Sequence, residues 1–203
     1  IACLDLEGVL VPEIWIAFAE RTGIAELRAT TRDVPDYDVL MRQRLRILGE
    51  HDLKLPDIQR VVSELQPLEG AHAFLAWLRT QFQVLILSDT FYEFAMPLMR
   101  QLGEPTLLCH RLETDAQGRV VNYRLRMSDQ KRAAVKALHQ INYKVAAAGD
   151  SYNDTGMLSE ADVGVLFCPP ENVTREFPHF RVTRNYEELR SAFADARRTL
   201  ESN

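Results

Sequence analysis

Residues 145–154, Val-Ala-Ala-Ala-Gly-Asp-Ser-Tyr-Asn-Asp, decide the fold of this chain. The apolar run 145–148 predicts a buried strand, and Asp150 and Asp154 follow where it ends. Two carboxylates four residues apart at the carboxyl end of a strand form an oxygen-only site that suits Mg²⁺. The alternative is an Asp that caps the next helix, with a second acid in its first turn. Because Gly149 allows a close backbone approach, we favour a metal bound directly by Asp150, with Asp154 bound through water or supporting the other ligands.

A second acidic strand end lies at the start of the chain. Residues 1–6 read as a strand, and Asp5 and Glu7 are two residues apart, so both side chains can point the same way. A carboxylate nucleophile and a carboxyl acid/base are what phosphoester cleavage through an aspartyl-phosphate requires. Asp5 could instead merely cap the turn after the strand. Together, the two acidic strand ends predict metal-assisted phosphoryl chemistry.

Two further polar residues stand at the end of a predicted strand and at the start of a predicted helix. Ser88 follows the apolar run 84–87, where its hydroxyl could donate to a phosphate oxygen or cap a helix. Lys131 could neutralise a phosphate and the charge developing on the nucleophile, or could be a solvated surface residue. Along the chain, an acidic pair is followed by Ser88, then Lys131, then a second acidic pair. This order indicates phosphoryl chemistry far more specifically than any one of the four features does alone.

Apolar runs alternate with helical patterns along the chain. We predict strands at 1–6, 84–87, 106–109, 145–148 and 163–167, and helices at 71–82, 91–102, 131–140, 154–161 and 186–200. This alternation predicts an α/β fold, a doubly wound Rossmann-like parallel sheet with helices on both faces. Ligands in such folds bind outside the carboxyl ends of the strands, where the acidic residues lie.

Two insertions interrupt this pattern. The segment after the first strand is far longer than a single crossover helix needs, and it contains helical patterns at 12–22, 37–50 and 56–65 with a break at 30–35. We therefore predict a catalytic core of residues 1–11 and 69–203 and a helical cap of residues 12–68. Residues 111–114 and 120–125 flank a short glycine-containing turn and predict a small β-hairpin.

The composition narrows the function classes. The net charge of −5 over 203 residues argues against a large basic surface for nucleic acid or anionic lipid. The three cysteines are odd in number and widely spaced, which predicts no disulfide framework and favours a reducing cytoplasm. No apolar run approaches the length of a membrane span. We therefore expect a small-molecule substrate and neither a nucleic-acid nor a membrane partner.

The four motifs together resemble those of the haloacid dehalogenase-type phosphatase superfamily. Its first motif, DxDx[TV], stands here as residues 5–9, DLEGV, and its second, an apolar strand ending in Ser or Thr, as residues 84–88. The third is Lys131, and the fourth, GDxxxD, is residues 149–154. Over its whole length the chain is similar to the phosphoserine phosphatase branch. It most resembles the subgroup that also transfers phosphate from phosphoserine to homoserine, through residues 5–15, 37–40, 43–48, 87–94 and 149–154.

The resemblance implies a role for each matching position in the chemistry. Asp5 would be the nucleophile and a ligand of Mg²⁺, and Glu7 would be the acid/base, with its backbone carbonyl on the metal. Asp150 would be the third protein ligand, with Asp154 behind it. Ser88 and Lys131 would hold the phosphate.

The resemblance also implies how an amino-acid substrate is held. From the cap, Glu13 would meet the ammonium of phosphoserine and Arg44 its carboxylate, while Asp89 and Asn153 would line the pocket. Arg suits a carboxylate because it can bind with two parallel hydrogen bonds. Without the resemblance, Glu13 reads as a first-turn helix acid and Arg44 as part of a solvated basic face.

Two departures from the family pattern and several alternatives stay open. Glu7 replaces the usual second Asp, and Asp89-Thr90 replaces the Gly-Gly common after the second motif. Both departures match the phosphotransferase subgroup, so water or homoserine could accept the phosphate. The alternatives are a phosphatase for another small monoester such as a sugar or nucleotide phosphate, a non-catalytic binding protein on the same fold, and a phospho-accepting receiver module. A homodimer also stays open.

Overall fold

The computed structural model describes residues 1–30, 33–34 and 36–202. Within this part of the chain, one sheet contains the strands β1 (Ala2–Leu4), β2 (Val84–Phe91), β3 (Thr106–Thr114), β4 (Val120–Arg124), β5 (Ala146–Gly149), β6 (Val163–Phe167) and β7 (Arg181–Thr183). Their order is β4-β3-β2-β1-β5-β6-β7. All neighbouring strands are parallel except β3 and β4, which form an antiparallel hairpin.

The helices are α1 (Ile14–Thr22), α2 (Tyr37–Glu50), α3 (Leu55–Ser63), α4 (Ala71–Gln81), α5 (Tyr92–Gln101), α6 (Gln130–Gln140), α7 (Thr155–Glu160), α8 (Glu171–Glu176) and α9 (Tyr186–Ser202). Helices α1 to α3 lie between β1 and the returning helix α4. The predicted α/β fold with a helical insertion and a small hairpin is therefore confirmed. The boundaries of core and cap stay predictions.

Both faces of the central strands are buried. Ala2 and Leu4 of β1 pack into one hydrophobic cluster, and Cys3 between them packs into another on the opposite face. In β5 the residues alternate in the same way, and Ala147 faces the cluster of Cys3. Since successive side chains of a strand point to opposite faces, a strand covered on both sides reads as an unbroken apolar run. This is why residues 145–148 can be recognised from the sequence as a strand that is buried on both faces.

Several predicted boundaries are wrong. Strand β2 does not end at residue 87 but continues to Phe91, with an irregular register between Leu87 and Phe91. The runs 106–109 and 111–114 form one continuous strand, β3. Strand β7, helix α8 and a 3₁₀ turn at Ala25–Arg28 were not predicted. Residues 31, 32 and 35 of the predicted break at 30–35 lie outside the described residues.

The β3–β4 hairpin contacts the inserted helices at two places. The backbone N–H of Leu55 donates to the carbonyl of Gly118 at 2.9 Å. The hydroxyl of Tyr123 donates to the Asp38 carboxylate at 2.5 Å. The insertion is thereby held over the carboxyl ends of the strands. Among residues 1–30, 33–34 and 36–202, no helix combines the length and the apolar character that crossing a membrane requires.

Candidate active site

A cavity of about 640 Å³ lies between the strand ends and the inserted helices. The sheet and the loops after its strands contribute most of the walls, together with Lys131 at the start of α6, and the rest comes from the inserted segment that contains α1 and α2. Nine of the ten predicted site residues line this cavity: Asp5, Glu7, Glu13, Arg44, Ser88, Asp89, Lys131, Asp150 and Asn153. The tenth, Asp154, lies fully buried behind them.

Three carboxylates meet at the edge where β1 and β5 pair. One oxygen each from Asp5, Asp150 and Asp154 lies within 4.8 Å of the others. The pairing of β1 with β5 brings the three carboxylates together, because it continues past β1, where the Asp5 N–H donates to the Ala148 carbonyl at 2.9 Å. An oxygen-only set of this kind fits a hard divalent cation.

Asp154 orients the cluster through hydrogen bonds that use both of its oxygens. Its Oδ2 accepts from the backbone N–H groups of Asp150 at 2.9 Å and Ser151 at 3.1 Å. Its Oδ1 accepts from the Lys131 ammonium at 2.8 Å. Gly149 leaves the room that this arrangement needs, since a Cβ there would lie 2.3 Å from that of Asp154. These contacts fit a supporting position for Asp154 better than a direct ligand.

Burial and like charge dominate the electrostatics of the cluster. Burial raises the pKa of Asp5 well above its usual range, and the neighbouring Asp154 adds to the effect although Lys131 opposes it. Burial and Asp154 likewise raise the pKa of Asp150 to about 7. A bound cation would relieve this repulsion, because it favours the charged form of each carboxyl.

Lys131 is the buried cation of the site, with 2% of its surface exposed. Its ammonium lies 2.9 Å from Asp5 Oδ1 and 3.6 Å from Asp89 Oδ2, in addition to its contact with Asp154. Burial alone would lower its pKa, but Asp154, Asp5 and Asp89 outweigh burial and raise it. Lys131 therefore stays charged at the bottom of the cavity.

Glu7 ties the acidic edge to the first inserted helix. Its Oε2 accepts from the backbone N–H of Ile14, the first residue of α1, at 2.9 Å. Burial raises the pKa of Glu7 to about 7, and the negative charge of Glu13 adds to the effect. A carboxyl group with such a pKa can both hold and release a proton near neutral pH.

Ser88, Asp89 and Thr90 occupy the irregular part of β2. Bulges of this kind often lie beside active sites, where they redirect side chains. Ser88 is buried, and its hydroxyl oxygen accepts from the Thr90 N–H at 3.3 Å. Although burial alone would raise the pKa of Asp89, the Lys131 ammonium, the nearby His110 ring and hydrogen bonds from Gln130 and Asn153 hold it well below its usual range.

Arg44 is a buried cation on the opposite wall, with 7% of its surface exposed. Its guanidinium lies over the Trp15 ring at 4.4 Å and donates to the Ala29 carbonyl at 2.8 Å. No carboxylate among the described residues forms an ion pair with it, and its Nε has no hydrogen-bond partner there. Burial lowers the pKa of Arg44 to about 10. The buried positive charge thus faces the cavity without a direct ion pair among the described residues, although the charges of Glu7 and of Glu13, exposed at the rim, act on it from a distance.

The comparison with protein families agrees with this geometry. The model of the haloacid dehalogenase-like hydrolases matches residues 1–162. The chain belongs to this family. The predicted resemblance is therefore confirmed at the level of the superfamily.

Relatives and solved structures within the family are similar over most of their length. A phosphoserine phosphatase of Pseudomonas syringae pv. tomato is 68% identical over 97% of this chain and 83% of its own. Phosphoserine phosphatase ThrH of Pseudomonas aeruginosa is 68% identical over 97% of this chain and 96% of its own. A crystal structure of an apo phosphoserine phosphatase, 18% identical, has a TM-score of 0.76 and covers 94% of this chain and 96% of its own. The last likeness concerns the fold alone.

Sequence reasoning gave no site role to three buried polar residues, of which the first, Thr90, lines the cavity from β2. His110, to which no role was assigned, lines the cavity from β3, and Gln130 lies buried at the start of α6. Each of the latter two is a single polar residue beside apolar or charged neighbours and matches no motif. His110 fell between the predicted runs 106–109 and 111–114, and only the continuous strand β3 makes it a buried sheet residue, where a buried His needs a partner.

Proposed function

We propose that this chain is an Mg²⁺-dependent phosphoserine phosphatase in which Asp5 carries the phosphate during turnover. The two relatives at 68% identity bear the name phosphoserine phosphatase, which supports the substrate. The observation that carries the proposal is the Arg44 guanidinium, which is buried without a direct ion pair among the described residues and faces the same cavity as Asp5. A buried charge of this kind is costly unless a ligand pairs with it.

The two ends of the cavity suit the two ends of phosphoserine. Arg44 binds the carboxylate, and Glu13 at the rim meets the ammonium. In this proposal both residues belong to a cap of residues 12–68, and the phosphate enters the core of residues 1–11 and 69–203. A sugar or nucleotide phosphate offers no such pair of opposite charges, so the charge pattern favours an amino-acid phosphate over those alternatives.

At the phosphate end, Ser88 donates a hydrogen bond to a phosphate oxygen and Lys131 neutralises its charge. An Asp5 oxygen attacks phosphorus, and the bond between phosphorus and the serine oxygen breaks. Glu7 gives its proton to the departing serine oxygen. Glu7 then takes a proton from the hydroxyl of the incoming acceptor, either water or an alcohol. The oxygen of that hydroxyl attacks the phosphate on Asp5, and the bond between phosphorus and Asp5 breaks to restore the Asp5 carboxylate. Asn153 and Asp89 form the side wall of the pocket.

The donor set supports Mg²⁺ as the metal. Asp5, Asp150 and the backbone carbonyl of Glu7 would hold it, and Asp154 would orient them. When bound, the cation supplies positive charge that offsets the repulsion between the nucleophile and a phosphate monoester. The same charge offsets the repulsion within the buried acidic cluster.

Arg44→Met is expected to remove the preference for a substrate carboxylate. Its KM for phosphoserine should rise by about 100-fold, because a charge-assisted hydrogen bond to a buried group is worth about 2–3 kcal/mol. Activity with phosphoethanolamine, which lacks the carboxylate, should change little. Steady-state kinetics with both substrates and Mg²⁺ make this measurement.

Arg42→Met is the matched control on the same helix. Arg42 is 66% exposed and pairs with Asp38 at 2.8 Å, so its loss should leave both substrates unaffected. Equal losses with phosphoserine and phosphoethanolamine in Arg44→Met would contradict a carboxylate contact. Such a result would favour a phosphatase for a different small monoester.

We further propose that homoserine can replace water as the acceptor. Homoserine carries the same ammonium and carboxylate as the departing serine, so Arg44 and Glu13 can bind it while the phosphate stays on Asp5. With phosphoserine and Mg²⁺, adding homoserine should yield phosphohomoserine at the expense of inorganic phosphate, as measured by phosphorus NMR. Release of inorganic phosphate alone at saturating homoserine would limit the activity to hydrolysis.

A further inference from the structure

Asp89 shares the Lys131 ammonium with the site proposed for the substrate phosphate. Lys131 Nζ lies 2.9 Å from Asp5 Oδ1 and 2.8 Å from Asp154 Oδ1, but 3.6 Å from Asp89 Oδ2. The third carboxylate thus stops short of a close ion pair. If it moved closer, it would compete with a phosphate for the same ammonium, because both are anions that accept from its N–H groups.

Three side chains hold Asp89 at this distance. Gln130 Nε2 donates to Asp89 Oδ1 at 3.2 Å, and His110 Nε2 faces the same oxygen at 3.6 Å. Asn153 Nδ2 donates to Oδ2 at 3.2 Å. Gln130 and His110 thus contact Oδ1, whereas Lys131 lies nearest to the other oxygen, Oδ2.

His110 and Gln130 are themselves fixed. They are 4% and 2% exposed, so neither is free to reorient in solvent. The backbone N–H of Arg126 donates to His110 Nδ1 at 3.1 Å, which leaves the hydrogen of a neutral imidazole on Nε2, toward Asp89. Arg126 Nε donates to Gln130 Oε1 at 3.2 Å, and Gln130 Nε2 also donates to the Ser88 carbonyl at 2.5 Å. Arg126, which lies shortly after the end of β4, thus anchors both His110 and Gln130.

We propose that His110 and Gln130 are positioning residues that hold the Asp89 carboxylate back from Lys131 and so keep the ammonium available for phosphate. The inference rests on the proposed function, because it takes Lys131 as the ligand of the substrate phosphate. His110 and Gln130 touch neither the substrate nor the nucleophile. They act through Asp89, and their effect falls on phosphate binding more than on the chemical step.

A double-mutant cycle of His110→Phe and Asp89→Asn tests this role. The dissociation constant of inorganic phosphate is measured by calorimetry in the presence of Mg²⁺, together with KM and kcat for phosphoserine. His110→Phe should weaken phosphate binding by about tenfold, the effect expected when a contact to a charged group is lost. In the Asp89→Asn background the same substitution should change it by less than about twofold, because a neutral amide does not compete for the ammonium.

The outcomes separate this inference from the proposed function. Phosphate binding and phosphoserine turnover by the unmodified chain test the proposed function alone. Equal losses from His110→Phe in both backgrounds, or a fall in kcat with KM unchanged, would overturn the positioning role. His110→Gln, which keeps a donor near the position of Nε2, should recover most of the binding. If His110→Phe fails to fold, Gln130→Met replaces it in the same cycle. Because Gln130 also donates to the Ser88 carbonyl, its loss in the Asp89→Asn background measures that contact alone and should be at least about fivefold smaller than the loss in the unmodified chain.

Discussion

Asp5→Asn is expected to abolish phosphoserine turnover while the protein stays folded. The amide is a poor nucleophile, so the covalent phosphate cannot form, and kcat should fall by at least about 10⁴-fold. The fold should persist because Asn has the same shape, and Lys131 keeps Asp154 at 2.8 Å as a partner. Removing one of three crowded carboxylates also relieves repulsion within the cluster. Phosphate release and a thermal melt of the same sample provide the two measurements.

Mass spectrometry gives a second readout for Asp5. Acid quenching of the unmodified protein during turnover should leave one phosphate on the peptide that contains Asp5, and the Asn variant should carry none. Asp115→Asn is a suitable control, since Asp115 lies in the hairpin turn and its carboxylate accepts from the backbone N–H groups of Gln117 and Arg119. Substantial phosphatase activity in Asp5→Asn, with the fold intact, would contradict Asp5 as the nucleophile.

The central strands could be predicted because their environment leaves a direct trace in the sequence. Residues 145–148 are apolar throughout, since both faces of β5 are buried. The bulge around Ser88 leaves no such trace. It depends on how β2 pairs with β3, where Leu87 is the last regular partner before Phe91 meets His110. Sequence patterns within one strand do not report the register of its neighbour.

The acidic part of the site was also predictable, for a related reason. Asp5 and Asp150 directly follow strands that pair in parallel, so the sheet must bring them to one edge. His110 and Gln130 differ, because His110 lies within β3 and Gln130 at the start of α6. Their meeting at Asp89 is set by the path of the hairpin between them. Only the folded chain brings these two residues together.

Gly8→Ala should disable the metal site, whereas Gly23→Ala should only destabilise the protein. Both glycines have left-handed backbones, with φ of 76° and 73°, so an added Cβ costs each about 1–2 kcal/mol. Their surroundings differ. A Cβ at Gly8 would lie 2.4 Å from Oδ2 of Asp150, whereas a Cβ at Gly23 would meet nothing within 4 Å. In Gly8→Ala the Asp150 carboxylate must therefore leave its present position beside Asp5 and Asp154.

This displacement should appear in two measurements. The kcat/KM of Gly8→Ala for phosphoserine should fall by about 100-fold or more, the usual effect of misplacing a catalytic group by about 1 Å. Mg²⁺ at 100 times its dissociation constant should raise the melting temperature of the unmodified protein by about 5–10 °C. Gly8→Ala should lose that rise, and Gly23→Ala should keep it from a lower starting temperature. If both variants keep the rise, the close approach of Gly8 to Asp150 does not control the metal site, and Asp150 is not the ligand on which Mg²⁺ binding depends.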